Sequence, residues 1–173
     1  MNYITADLHF WHKNTLVYYP EKRPFKNIEE MNESLISEWN ENVSDGDTIY
    51  FLGDFSFKGF QATEEMLKRL NGKKIMIIGN HDKKLRHLYE KYFDEVHDYL
   101  EFDYNGTKLC MMHFPLACWN CAARGSVMLH GHTHGVYKGV GRILDVGYDS
   151  LGKIMKLDDV VNMALEKKIE TLD

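Results

Sequence analysis

An α/β fold of two sheets packed face to face, with helices on the outside, is what the sequence predicts, and three observations carry that prediction. Short apolar runs alternate with amphipathic helical patterns in the first half of the chain. In the second half, apolar runs flank a hairpin signal instead. Polar residues of a restricted kind then follow one apolar run after another. With 173 residues, 44% of them hydrophobic, the chain has material for one domain over 1–173 with its own core.

Taken in order, residues 2–7 read as the first strand, followed by an irregular stretch through Pro20 and Pro24 whose length points to function. Ile28, Met31, Leu35, Trp39 and Val43 recur at helical spacing, and Asn27 with Glu30 resembles a capping box, so 28–43 reads as an amphipathic helix. Asp45-Gly46-Asp47 is a turn into a buried strand at 48–52. A short helix over 63–70, closed by Asn71-Gly72, precedes another buried strand at 74–78. A helix is expected over 83–92, and then strands at 95–102 and 107–113 on either side of Tyr104-Asn105-Gly106, whose Asn-Gly is a hairpin signal. Strands at 127–130 and 142–146 and a helix over about 158–168 complete the chain. The first half thus calls for parallel strands with crossover helices, and the second for antiparallel hairpins.

Charge and composition narrow the function. Lys and Arg number 21 against 26 Asp and Glu, a net charge of −5, which weighs against a nucleic-acid polymer as partner because such binders present a basic stripe. No apolar run approaches the ~18 residues of a spanning helix, and Met1 leads into the first strand without a basic or apolar leader, so the expected address is the cytoplasm, away from any membrane. Three cysteines are too few for a disulfide scaffold. Nine histidines are the unusual feature, and their positions decide the reading.

Open α/β sheets place ligand sites at the carboxyl ends of strands. The apolar runs here end in Asp7-Leu8-His9, Gly53-Asp54, Gly79-Asn80-His81-Asp82, Met112-His113 and His130-Gly131-His132-Thr133-His134. In extended chain, Asp7 and His9 project to one side, as do His132 and His134, so each pair can grip one ion. Carboxylate, amide oxygen and imidazole without thiolate suit Mn, Fe, Zn, Ni or Co. Seven candidate ligands (Asp7, His9, Asp54, Asn80, His113, His132 and His134) are too many for one ion with an open position and suit two that share a bridging carboxylate.

This ordered set resembles the calcineurin-like metallophosphoesterase superfamily. The stretches Asp7-Leu8-His9-Phe10-Trp11-His12-Lys13-Asn14, Arg23-Pro24-Phe25, Met31-Asn32-Glu33, Trp39-Asn40 and Leu52-Gly53-Asp54-Phe55-Ser56-Phe57 are similar to its small bacterial and phage-type members. The resemblance implies a four-layer α/β/β/α sandwich with two mixed sheets and a dinuclear metal site at the strand ends. It implies that Asp7, His9, Asp54 and His134 hold one ion and that Asp54, Asn80, His113 and His132 hold the other. His81 would face the substrate and protonate the leaving oxygen, with Asp82 orienting it. Two departures stand out: Phe55, Ser56 and Phe57 follow the Gly-Asp motif where many members carry an acidic or amide residue, and Trp11 stands where related members commonly have glycine.

The chemistry expected is hydrolysis of a phosphodiester or phosphomonoester, small and nucleotide-derived, by a hydroxide bridging two divalent ions, with manganese the first choice. Two such ions outweigh two aspartates, so the site can attract phosphate although the chain is acidic. His12, Asn14 and Arg23, with Lys13, cluster after the first motif and are candidate holders of phosphate oxygens; the fork of Arg23 matches phosphate best. The alternatives are a nuclease of the same superfamily, which a basic stripe would favour, and a non-catalytic scaffold, which loss of His81 or of several ligands would favour. His130 reads as a core or supporting residue, and His87 and His97 as ordinary surface or strand positions. Cys118 and Cys121 have redox spacing without the strand–helix context of a redox motif.

Overall fold

The computed structural model describes residues 1–172. In chain order it contains β1 (Asn2–Thr5), α1 (Thr15–Tyr18), α2 (Ile28–Asn42), β2 (Thr48–Phe51), α3 (Phe60–Leu67), β3 (Lys73–Ile77), α4 (Arg86–Tyr92), β4 (Glu95–His97), β5 (Tyr99–Tyr104), β6 (Thr107–Met112), β7 (Val127–His130), β8 (Ile143–Asp145), α5 (Tyr148–Leu151), β9 (Met155–Lys156) and α6 (Leu157–Leu165). Among the described residues no helix is long and apolar enough to cross a membrane.

Two mixed sheets result. The first runs β4-β3-β2-β1-β9, with β1 to β4 parallel and β9 antiparallel to β1. The second runs β5-β6-β7-β8, where only β5 and β6 form an antiparallel hairpin and β6, β7 and β8 are parallel. The expectation of antiparallel hairpins throughout the second half is therefore corrected. After the hairpin, long connections carry the chain back to start each next strand from the same end, which parallel pairing requires. The stretch read as one strand over 95–102 is two strands in different sheets: β4 pairs with β3 and β5 with β6, with Asp98 alone between them.

Side-chain alternation explains the layers. Along β1 and β2, Tyr3, Ile49 and Phe51 face one core while Ile4, Tyr50 and the following Leu52 face another. The first core lies under α2, α3 and α4, which contribute Ile28, Met31, Leu35, Trp39, Met66, Leu67, Leu88 and Tyr89. The second core lies between the sheets, where Leu109, Met111, Val127 and Leu129 meet Ile4, Leu52 and Ile77, and α6 adds Leu157, Val160, Val161 and Ala164. On the outer face of the second sheet, Leu116 and Trp119 of the segment after β6 pack on Cys110, Met128 and Ile143. Asn27 caps α2 as its spacing predicts, accepting from the Glu30 N–H at 2.8 Å, while the Glu30 carboxylate reaches the Lys26 N–H at 2.9 Å.

Candidate metal centre

Strands β1, β2 and β3 all deliver polar residues to one end of the first sheet, and β6 and β7 deliver theirs to the adjoining end of the second. Asp7, His9 and His134 form one group and Asp54, His113 and His132 another, the potential ligand atoms of each lying within 4.8 Å of one another. Asp54 stands between them. Its Oδ2 is 3.7 Å from His9 Nε2, and its Oδ1 is 3.6 Å from His113 Nε2.

The local backbone that achieves this is not extended. Strand β1 stops at Thr5, and Asp7, His9, Asp54, His132 and His134 all have positive φ, between 49° and 69°. The left-handed region costs a residue with a side chain on the order of 1–3 kcal/mol and persists only where surrounding structure imposes it. Here it is imposed by hydrogen bonds: Asp7 N–H to the Gly53 carbonyl at 2.9 Å, His9 N–H to that of Asp54 at 3.1 Å, and His132 N–H to Asp7 Oδ2 at 2.8 Å. The Asp-x-His and His-x-His pairs are thus set by turns rather than by the alternation of a strand, and His132 and His134, expected to grip one ion together, fall in different groups. Gly53 must be glycine for a further reason, since at φ 90° a Cβ would lie 2.4 Å from His113 Nδ1.

Three features fit a pair of cations. First, Asp7 Oδ1 and His9 Nε2 are buried without a hydrogen-bond partner, although they lie 3.6 Å apart. Second, His113 Nδ1 is 2.7 Å from the Leu52 carbonyl, which can only accept. The ring proton therefore sits on Nδ1, and Nε2 turns its lone pair toward Asn80 Oδ1, 3.0 Å away, a juxtaposition of two electron-pair donors that a shared ion satisfies. Third, burial lowers the basicity of His9, His113 and His132, keeping them neutral. Burial also pushes the Asp7 carboxyl well above the usual range, and the nearby Asp54, Asp145 and Asp149 add to that. Neutral imidazoles beside crowded carboxylates are the donor set that a divalent ion requires.

The remaining candidate residues divide. His81 is at the rim, its side chain 46% exposed and its Nε2 3.8 Å from Asp54 Oδ2. His12 lies flat on Phe57, ring centres 3.8 Å apart, and Phe57 also stacks on His9 at 5.0 Å and leans on His81 at 4.4 Å. Asn14 and Lys13 are exposed in the turn that opens α1. Two expectations are corrected. Asp82 does not orient His81: it is fully buried, and its carboxylate accepts the backbone N–H groups of Asp54, Phe55 and Gly79 at 2.6, 3.0 and 2.9 Å. Arg23 does not face a substrate either. It is 1% exposed, and its guanidinium is used up by Asp149, the carbonyls of Asp7 and Leu8, and the Met31 sulfur.

The sequence reading missed several residues that shape the site. Asp149 accepts from His134 Nδ1 at 2.8 Å. Asp145 holds the loop after β7 through Thr133 Oγ1 at 2.6 Å and the Gly135 N–H at 2.8 Å. Aromatic rings adjoin the candidate ligands: Tyr19 stacks on His134 at 4.8 Å and Phe114 meets His132 edge-on at 4.6 Å. Trp11, at φ 66°, turns away, its indole N–H pointing at the Met66 sulfur, so it does not set the width of the mouth. The cysteines are free.

Comparison with known proteins bears on the family and the fold. The family model described as calcineurin-like phosphoesterase matches residues 3–171. An uncharacterised protein of Methanocaldococcus jannaschii is 40% identical over 134 residues, covering 76% of this chain and 68% of that protein. The gene 66 protein of Mycobacterium phage D29 is 27% identical over 93% of this chain and 94% of its own. Among solved structures, a protein of unknown function from Aquifex aeolicus aligns with a TM-score of 0.74 at 25% identity, covering 94% of this chain and 98% of that one.

Proposed function

Because the chain belongs to the calcineurin-like phosphoesterase family, we propose that it is a dinuclear, metal-dependent phosphohydrolase acting on a small, nucleotide-derived phosphodiester or phosphomonoester. The observation that carries this reading is Asp54, whose two carboxylate oxygens address different ligand groups, Oδ2 toward His9 and Oδ1 toward His113. Asp7, His9, Asp54 and His134 would hold one ion, and Asp54, Asn80, His113 and His132 the other. Two divalent ions there, manganese in the first instance or Fe, Zn, Ni or Co, would bind phosphoryl oxygens and acidify a water for in-line attack on phosphorus.

The chain's own residues supply the rest. His81 reaches the site from the solvent side, where an imidazole can protonate the departing oxygen, a role worth roughly 10²–10⁴ in rate. Its backbone N–H donates to Asp54 Oδ1 at 3.0 Å, which ties the backbone that carries the imidazole to that carboxylate. The ring of His12, pinned flat on Phe57, presents an edge beside the same opening. Phe57, Tyr19 and Phe114, packed on His81, His134 and His132, would offer apolar faces to a nucleoside, which supports a small nucleotide-derived ester.

The test is turnover of bis-p-nitrophenyl phosphate and p-nitrophenyl phosphate by the Mn²⁺-loaded protein. Asp54→Asn should abolish it together with binding of the second ion. Unchanged turnover in that variant would refute the shared-carboxylate mechanism.

A further inference from the structure

We propose that Arg23 and Asp149 are a positioning pair for the ligand group of Asp7, His9 and His134, with Asp149 fixing the ring of His134 and Arg23 tying that carboxylate to the backbone that presents Asp7 and His9. This rests on the metal-dependent reading above and adds two residues to it.

The geometry is a continuous chain of contacts. Asp149 Oδ2 lies 2.8 Å from His134 Nδ1. A carboxylate accepts, so Nδ1 carries the proton and Nε2 is left as the ligating atom. The same carboxylate is gripped on both oxygens by Arg23, Nε to Oδ1 at 2.7 Å and Nη2 to Oδ2 at 2.9 Å. The far side of the guanidinium donates to the carbonyls of Asp7 at 2.6 Å and Leu8 at 2.8 Å. Those two carbonyls lie in the turn where Asp7 and His9 take positive φ, so the guanidinium fills the inside of the strained segment.

Energetics separate this role from that of an ordinary buried ion pair. Removing two charged side chains from water is costly, and such a pair is often no more stabilising than apolar residues of the same volume. Arg23 and Asp149 are both 0% exposed at the side chain, yet every donor on the guanidinium is spent on the His134 partner, on the ligand-bearing turn or on Met31. A planar fork is needed to span the three at once, and lysine could not replace it. Three ligands carried by segments far apart in sequence are thereby registered against one rigid group.

The experiment compares Mn²⁺ binding to the wild type and to Asp149→Asn by calorimetry and electron paramagnetic resonance. The wild type should bind two ions and give the spectrum of a coupled pair. In the variant one ion should bind as before and the other roughly 10–100-fold more weakly, giving the spectrum of isolated Mn²⁺ at the same loading. Two sites of wild-type affinity, or two sites weakened equally as general loosening would do, overturn the proposal. A wild type that binds fewer than two ions would instead refute the dinuclear reading. Should the variant fail to fold, nitrogen-15 NMR of metal-free wild type in mildly alkaline buffer decides: His134 protonated on Nδ1 with Nε2 bare is expected, and the opposite tautomer overturns the proposal.

Discussion

The carboxylate of Asp82 accepts the backbone N–H of Asp54 at 2.6 Å, and so holds the residue that stands between the two ligand groups. Its other contacts, to Phe55 and Gly79, join the turns after β2 and β3. Adjacent in sequence, His81 and Asp82 therefore do different work, and substitutions should separate them. Asp82→Asn keeps the size but puts an amide NH₂ among three N–H groups, leaving at least one donor unsatisfied at a cost of about 1–3 kcal/mol. His81→Asn, on a side chain 46% exposed, should leave stability within about 0.5 kcal/mol. Its kcat should fall by roughly 10²–10⁴. Urea unfolding in EDTA and steady-state kinetics on both variants check this, and equal stability losses would contradict it.

Gly79→Ala should be damaging where Gly46→Ala is not. A Cβ at position 79 would sit 2.3 Å from Asp54 Oδ1 and 2.6 Å from Asp54 N, whereas nothing lies within 4 Å of one at position 46. Overpacking of the first kind costs about 1–3 kcal/mol and displaces the Asp54 carboxylate. Thermal melts with and without Mn²⁺ should show Gly79→Ala losing both stability and the metal-dependent increment, with Gly46→Ala close to wild type.

Metal removal should destabilise the protein. Asp7 and Asp54 crowd each other in the buried site, and Asp7 is pushed toward protonation by burial first and by Asp54 next. Ions bound only by the folded form stabilise it by about 2.7 kcal/mol at 100-fold excess over Kd. For a chain of this length that corresponds to roughly 5–10 °C in Tm. Scanning calorimetry in EDTA and in Mn²⁺ should show that rise, and identical Tm values would count against metal binding to the folded state.

Away from the site, α3 and α4 are linked by Glu64, which accepts from Tyr92 Oη at 2.6 Å and from Lys91 Nζ at 3.0 Å. The Tyr92 hydroxyl and then the Lys91 ammonium hold its carboxyl down at about 2, against an ordinary 4.5. A carboxyl depressed in the folded state contributes stability that is fully present above its unfolded value and lost as the pH falls through its folded one. Between about pH 4.5 and 2, wild type should therefore lose stability more steeply than Glu64→Gln. Acid-unfolding curves of the two proteins measure the difference, and parallel curves would remove Glu64 from the link.

Much of the fold and ligand set could be read in the chain because the information is local. Each of Asp7, Asp54, Asn80, His113 and His132 follows an apolar run within three positions, and sheet geometry takes the residues after parallel strands to one end. What escaped was non-local. Arg23 looked like a phosphate fork because its counterion, Asp149, is 126 positions away and lies in a four-residue helix that no periodicity marks. Asp82 looked like a partner for its neighbour His81, while its actual partners are backbone groups up to 28 positions distant. The 95–102 stretch read as one strand because nothing at Asp98 marks a change of sheet: neither glycine nor proline interrupts it, and both halves are extended. The left-handed turns at Asp7, His9, His132 and His134 carry no glycine at the strained positions themselves, so only the cross-chain hydrogen bonds reveal them.

Asp7, His9, Asp54 and Asn80 come from the strand ends of the first sheet, and His113, His132 and His134 from those of the second. Each ligand group is thus recruited from both sides of the sandwich, and whatever fills it also rivets one sheet to the other at that end. Loss of the rivets should loosen the contact between the sheets at that end before any other. The candidate metal centre is thus also a seam between the two sheets.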